Sequence, residues 1–210
     1  MRFRLRALLG LLRRRGRIAD YLRAHETRRL HLGAGEHVLP GWLNTDLHDY
    51  GRSDLVYLDV RRPFPLPDAS FDAVFSEHML EHLTYTEGQR CLRECFRVLC
   101  PGGTLRIATP SLERLARLYD GGDVEERYVQ WAAQTLEPEL SAPLPGAVVN
   151  NFFRAWGHRF IYDPQTLRHA LSEAGFVDVE ERPVGELEQH LEEQPEFNEY
   201  ETLVLEARRP

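Results

Sequence analysis

A doubly wound α/β sandwich is the architecture this sequence predicts. Short apolar runs alternate with amphipathic helical segments along most of the chain. The run "FDAVFSE", residues 71–77, is nearly all apolar, as a strand covered on both faces of a parallel sheet must be. The 210 residues suit one domain with a modest insertion, and 42% hydrophobic with 28% charged residues is the composition of an ordinary globular protein.

Residues 1–27 read as a basic amphipathic helix, with Leu5, Leu8, Leu9, Leu12, Ala19 and Leu22 near one face and arginines over most of the other. Ten arginines against Asp20 and Glu26 give residues 1–29 a net of +8, which leaves −15 on the other 181 residues of a chain that totals −7. Such an arm on an acidic body has two open readings: docking on an anionic membrane surface through residues 1–24, or packing on its own domain. The run "ALLGLL" is short, closed by "RRR" and lacks a cleavage site, so no export is expected. No stretch approaches the ~20 apolar residues of a spanning helix. Cys91, Cys95 and Cys100, an odd set, fit a reducing cytoplasm, and the first two read as buried helix residues. The expected location is cytoplasmic, with peripheral contact at the inner membrane face where the arm docks. No nucleic-acid partner is expected, because no aromatics interleave with the arginines and the body is acidic.

Residues 28–210 form the domain. "RRLHLG" reads as a buried strand, "GWLNTDL" as a second ending in acid, and "DLVYLDV" as a third with Asp59 near its end. "RRPFPLPDAS" is too proline-rich for helix or central strand. After the fourth strand, residues 86–99 have helical spacing and "CPGG" stops them. "TLRIATP" is a fifth strand, and "SLERLARLYDGG" a helix with Ser111 as cap. Prolines at 138, 143 and 145 and aromatics at 152, 153 and 156 mark an insertion or lid over about 123–160, partly helical. "DPQTLRHALSEAGF" is a helix capped by Asp163 and ended by Gly175, and "FVDVEERPV" and "YETLVLEARR" are closing strands around an acidic loop.

The chemistry concentrates at the strand ends. Ligands of such sheets sit beyond the carboxyl ends of the strands, where glycine lets the backbone come close. Gly33 and Gly35 follow the first strand, Asp46 ends the second and Asp59 the third. A carboxylate at Asp46 can accept hydrogen bonds from both ribose hydroxyls, and an adenine would lie by Asp59. A dinucleotide site would need a third glycine and a helix facing a pyrophosphate, but position 38 is valine and Pro40-Gly41 leaves no helix. A P-loop is excluded because the chain has no lysine.

"LHLGAGEHVLPGWLNTDL", "PFPLPDASFDAVFSEHMLEHL" and "CLRECFRVLCPGGTLRIATPSL" together resemble the class I S-adenosylmethionine-dependent methyltransferases, in particular the small bacterial branch related to the type 11 domain. The resemblance is strong over about residues 28–119 and looser after 157. It implies a Rossmann-like, seven-stranded, mostly parallel sheet with helices on both faces and an antiparallel last strand. It implies S-adenosyl-L-methionine as cofactor. Gly33 and Gly35 would line its methionine part, Asp46 its ribose, Asp59 with Val60 its adenine, and Ser76 with Glu77 its methionine tail and the substrate, with Ala34 and Leu47 among the cofactor-binding residues. Two departures from the family are His31, where an acid is usual, and a first helix cut to a turn. A ligand without pyrophosphate needs close backbone approach more than a helix dipole.

Methyl transfer needs alignment, and a base if the acceptor is a hydroxyl. His78 and His158 are the candidates, each equally readable as a histidine bonded into a packed loop. The expected acceptor is a small molecule, a saccharide or a lipid-linked intermediate. The alternatives are a non-catalytic S-adenosylmethionine-binding or scaffold protein and, remotely, a zinc hydrolase using "HMLEH", that is His78, Glu81 and His82, with Glu113 or Glu125 as third ligand. The preferred reading assigns no metal.

Overall fold

The computed structural model describes residues 2–48, 52–136, 142–185, 187, 197 and 200–210. Pro138 and most of the acidic loop expected between the closing strands lie outside the described residues. Seven strands form one sheet: β1 (Arg29–Leu32), β2 (Leu43–Asp46), β3 (Val56–Tyr57), β4 (Phe71–Glu77), β5 (Leu99–Pro110), β6 (Val177–Glu181) and β7 (Thr202–Arg208). Their order is β3-β2-β1-β4-β5-β7-β6, and β7 runs antiparallel to both β5 and β6. The order reverses between β1 and β4, so the cleft beyond their carboxyl ends is the natural ligand site.

Burial explains the strands. Leu30, Leu32, Phe71, Val74, Phe75 and Leu105 are at most 1% exposed, because helices cover both faces of the sheet. Pairing of β3 is short, yet Leu58 N donates to Asp46 O at 2.9 Å, which extends the ladder by one bond and delivers Asp59 beside Asp46. Helix α2 (Tyr85–Val98) starts one residue earlier than its apolar spacing suggests, since Thr84 and Glu87 form a reciprocal capping box. The helix ends at Val98, just ahead of "CPGG", and β5 begins at Leu99 rather than at Thr104, so "CPGG" lies within the strand instead of stopping the helix. Leu99 already pairs with Phe71, and a register shift between Phe71 and Ala73 absorbs the turn at left-handed Gly102.

Helix α1 (Arg2–Ala24) is continuous, and its second half packs on the domain. Ile18 and Tyr21 lie in the main core, Arg17 Nη1 donates to Leu55 O at 2.6 Å, and the Tyr21 hydroxyl accepts from Arg29 N at 2.9 Å. For this half, packing on the chain's own domain is the arrangement found.

Helix α3 (Leu112–Arg117) begins at Ser111, whose hydroxyl accepts from Arg114 N. The insertion folds as α4 (Asp123–Leu136) and α5 (Pro145–Arg154) around a second core that includes Tyr128, Val129, Ala132, Val148 and Phe152. Phe153 and Trp156 are about half exposed, so only Phe152 of the three aromatics serves that core. Helix α6 (Pro164–Glu173) is capped by Asp163, which accepts from Thr166 N at 2.7 Å.

Candidate functional site

Beyond β1 the chain turns through Gly33 (φ 68°) and Gly35 (φ 53°), both left-handed. A Cβ at Gly33 would lie 2.4 Å from Met79 Cγ, so only glycine admits this approach to the segment after β4. Ala34 N donates to Thr45 O at 3.0 Å, Gly35 N to Asp46 Oδ2 at 3.0 Å and His48 N to Asp46 Oδ1 at 2.8 Å. Each Asp46 oxygen thus holds one backbone donor and keeps accepting capacity for another.

The loop standing where a helix would be expected is held by Asn44. Its Oδ1 accepts from Leu39 N at 2.9 Å, while its Nδ2 donates to Leu39 O at 2.9 Å and to Trp42 O at 3.2 Å. That orientation makes Oδ1 the acceptor for the His31 Nδ1 proton at 3.0 Å. His31 is 2% exposed and packs on Phe75 at 5.1 Å between ring centroids. It therefore buttresses the loop rather than facing a ligand. Burial lowers its pKa from 6.5, outweighing the raising effect of Asn44. The unfolded chain takes up the proton first as pH falls, so stability contributed by neutral His31 is lost below about pH 6.5, at up to ~1.4 kcal/mol per pH unit. Denaturant titrations between pH 7.5 and 5.5 should show that loss, reduced in His31→Gln; an equal slope in both proteins would contradict it.

Asp59 is oriented by Arg61, whose Nε and Nη2 reach its two oxygens at 2.8 and 2.9 Å, and Arg61 N adds a bond at 3.1 Å. The Arg61 hydrogen bonds hold the Asp59 carboxyl below its ordinary range. Both aspartates face one cleft of about 490 Å³. Gly33, Gly35, Asp46, Leu47, Asp59 and Val60, all expected from the sequence, line it, and so does His78. Ala34, Ser76 and Glu77 are buried beside it and are not among the described lining residues. Arg61, Met79, His82 and Trp156 also line the cleft. The sequence offered faint signals for two of these: an acid and an arginine two apart after a strand, and a tryptophan before a glycine. Trp156 is indeed left-handed (φ 53°), as is Gly157 (φ 80°).

After β4, His78 also takes a left-handed backbone (φ 44°), with its N–H donating to Ala108 O at 3.0 Å. Its Nδ1 comes to 3.3 Å from Glu81 Oε1, and its Nε2 to 3.5 Å from Thr202 Oγ1. Glu81 is fully buried, and its Oε2 accepts from Thr109 Oγ1 at 3.1 Å. Burial acts to raise the Glu81 carboxyl, but His78, the local backbone and His82 together pull it below its ordinary range.

The helix needed for a zinc-hydrolase reading of "HMLEH" is absent. Only a three-residue 3-10 turn, Leu80–His82, forms, and His78 lies outside it. The proposed third ligands are engaged elsewhere: Glu113 pairs with Arg117, and Glu125 accepts from Tyr200 at 3.3 Å. A different group converges instead. Ligand atoms of Glu81, His82 and His158 lie within 4.8 Å of one another, which makes these three the described residues able to hold a metal ion. His158 lies outside the main cleft and lines an adjoining cavity of about 250 Å³ with Phe153, Arg159 and Asp163. Burial lowers its pKa from the ordinary 6.5.

Residues 33–107 match a family model described as a methyltransferase domain. A probable S-adenosylmethionine-dependent methyltransferase of Mycolicibacterium smegmatis is 35% identical over 74 residues, which cover 30% of this chain and 28% of that protein. The ubiquinone/menaquinone biosynthesis C-methyltransferase UbiE of Salmonella paratyphi B is 28% identical over 119 residues, covering 55% of this chain and 43% of that protein. The chain thus spans less than half the length of these curated relatives. Two solved structures share the fold, each with TM-score 0.52. A SAM-dependent methyltransferase from Archaeoglobus fulgidus is 19% identical, covering 96% of this chain and 93% of that one. An S-adenosylmethionine-dependent methyltransferase from Mesorhizobium loti is 20% identical, covering 90% and 96%.

Proposed function

We propose that this chain is a class I S-adenosylmethionine-dependent methyltransferase and that it transfers the sulfonium methyl group to a small molecule, saccharide or lipid-linked intermediate; its fold and its matched segment support the reading. One observation carries the reading: the Gly33–Gly35 bend, Asp46 and Asp59 share a single cleft at the point where strand order reverses. Asp46, already organised by two backbone donors, accepts the ribose hydroxyls with its remaining lone pairs. Asp59, fixed by Arg61, and Val60 flank the adenine. The cofactor supplies the reactive methyl group, and the protein aligns the acceptor with the S–CH3 bond while excluding water. His78 stands in the cleft with buried Glu81 beside its Nδ1, which suits it to take a proton from a hydroxyl acceptor. His158 lines the neighbouring cavity, which makes it a poorer candidate for that base. Incubation with methyl-labelled S-adenosylmethionine and pools of small hydroxylated, saccharide and polyprenyl-linked acceptors tests the reading. Labelled product with stoichiometric S-adenosylhomocysteine supports it. Binding of cofactor with no turnover over any pool favours the non-catalytic alternative.

Membrane contact is the second part of the reading. No helix among the described residues is long and apolar enough to cross a membrane, so any contact is at a surface. Because Ile18 and Tyr21 are in the core, we assign that contact to the first half of α1, which carries Arg2, Arg4 and Arg6. Deleting residues 1–12 is expected to remove binding to vesicles containing anionic lipid and to leave S-adenosylhomocysteine affinity unchanged; retained vesicle binding refutes the assignment. Deleting residues 1–24 is expected to lower stability as well, since it strips Ile18 and Tyr21 from the core.

A further inference from the structure

We propose that Glu81, His82 and His158 form a binding site for a first-row divalent transition-metal ion at the border of the cleft and the adjoining cavity. The sequence reading assigns no metal, and its remote zinc alternative uses a different trio; convergence of these three side chains appears only in the fold. Their ligand atoms lie within 4.8 Å of one another. Three ligands about 2.0–2.2 Å from one ion stand roughly 3–4 Å apart, so small side-chain rotations close the site.

Four features show that the arrangement is built. First, Glu81 is a fully buried carboxylate whose Oε1 makes no well-formed hydrogen bond and has only the His78 Nδ1 contact at 3.3 Å. A buried carboxylate needs a cation or further donors to offset its lost hydration. Second, its Oε2 is held by Thr109 Oγ1, so the group cannot swing away. Third, His158 Nδ1 lies 2.6 Å from Phe152 O, which fixes the proton on Nδ1 and leaves Nε2 as the coordinating atom. Metal-binding histidines are oriented in this way by a backbone carbonyl. Fourth, the left-handed pair Trp156–Gly157 turns the chain so that Arg159 N and Phe160 N both donate to Glu81 O, at 2.7 and 3.1 Å. Those two bonds clamp the segment bearing His158 onto the turn bearing Glu81 and His82, and the His82 and His158 ring centroids are 5.0 Å apart.

Two imidazoles and one carboxylate, with positions left open, suit zinc, iron or cobalt rather than magnesium or calcium. His82 lines the main cleft and His158 the adjoining cavity, so an ion here faces both. Resting on the methyltransferase reading, its role is to hold an oxygen of the acceptor beside the cleft and to lower the pKa of an acceptor hydroxyl. The binding site itself does not depend on that reading.

The test uses the full-length untagged chain, stripped of metal and titrated with Zn2+ by calorimetry and with Co2+ by visible absorption. The expected result is one ion per chain and cobalt ligand-field bands of nitrogen and oxygen coordination, without thiolate charge-transfer bands. His158→Ala and His82→Ala should each weaken binding ~100-fold or more. Glu81→Gln should do the same, but this residue is buried, so the two histidine variants decide the matter if it fails to fold. His169→Ala, on the exposed face of α6, should retain wild-type affinity. Absence of specific binding, thiolate bands, or unchanged affinity in His158→Ala and His82→Ala overturns the proposal. S-adenosylhomocysteine affinity measured on the same metal-free protein separates the two readings: no S-adenosylhomocysteine binding beside specific Zn2+ binding sinks the methyltransferase reading alone, and S-adenosylhomocysteine binding beside no specific Zn2+ binding sinks the metal site alone.

Discussion

Replacing Asp46 with alanine is expected to weaken S-adenosylhomocysteine binding by about 1.5–3 kcal/mol, roughly 10- to 150-fold in Kd. The carboxylate serves both the ligand and the loop, accepting from Gly35 N and His48 N at 3.0 and 2.8 Å. Both donors lie where water can replace the lost acceptor, so the loop tolerates the change better than the ligand does. A ribose enclosed by protein has no such replacement, and its hydroxyls would be left against a methyl group. Asp46→Asn should not restore affinity. Its amide has one accepting oxygen, and its NH2 would face one of the two backbone donors. Calorimetric titration of both variants checks the claim, and wild-type affinity in Asp46→Ala would remove the ribose from this position.

Gly33→Ala is expected to have the larger effect on stability. A left-handed backbone costs a residue with a Cβ ~1–2 kcal/mol, and overpacking costs a further ~1–3 kcal/mol. The overpacking is severe because the new methyl would meet Met79 Cγ at 2.4 Å and Met79 Cβ at 2.7 Å, atoms too near the backbone to swing aside. The sum, ~2–5 kcal/mol, corresponds to a Tm fall of roughly 4–20 °C in a chain of this size. Gly35 is also left-handed (φ 53°) but has open space where its Cβ would be, so Gly35→Ala should cost only the backbone part. Combining Gly33→Ala with Met79→Gly should recover some stability, since only glycine at 79 removes both the Cγ and the Cβ contact, while the unfavourable φ at position 33 remains. A Gly33→Ala protein as stable as the parent would mean that the bend does not press on the segment after β4.

Much of this was legible because it depends on near neighbours in sequence. The central strands announce themselves by their apolar runs, and a glycine pair followed by acids at two successive strand ends needs no tertiary knowledge. The seven-stranded, mostly parallel sheet and its antiparallel last strand came from the family resemblance rather than from periodicity. What escaped the sequence involves partners far apart along the chain or a backbone that departs from its local preference. "HMLEH" has the spacing of a helix, yet His78 adopts φ 44° and the turn after it is only three residues long. His158 meets Glu81 and His82 only because Arg159 and Phe160 are bonded to the Glu81 carbonyl. The role of Asn44 was equally hidden. An asparagine within "WLNTD" looks like an ordinary strand residue, but its amide replaces the hydrogen bonds that a helix would have supplied to the loop. His31, a departure from the family at a position usually acidic, is explained by that same amide.

The central claim is that one adenosyl group occupies the cleft between the Gly33–Gly35 bend and the two aspartates. A crystal structure of the full chain with S-adenosylhomocysteine tests it most directly. The account predicts ribose hydroxyls within hydrogen-bonding distance of Asp46, adenine beside Asp59 and Val60, and the sulfur directed toward His78. Nucleoside density elsewhere on the molecule, or a ribose turned away from Asp46, would contradict it.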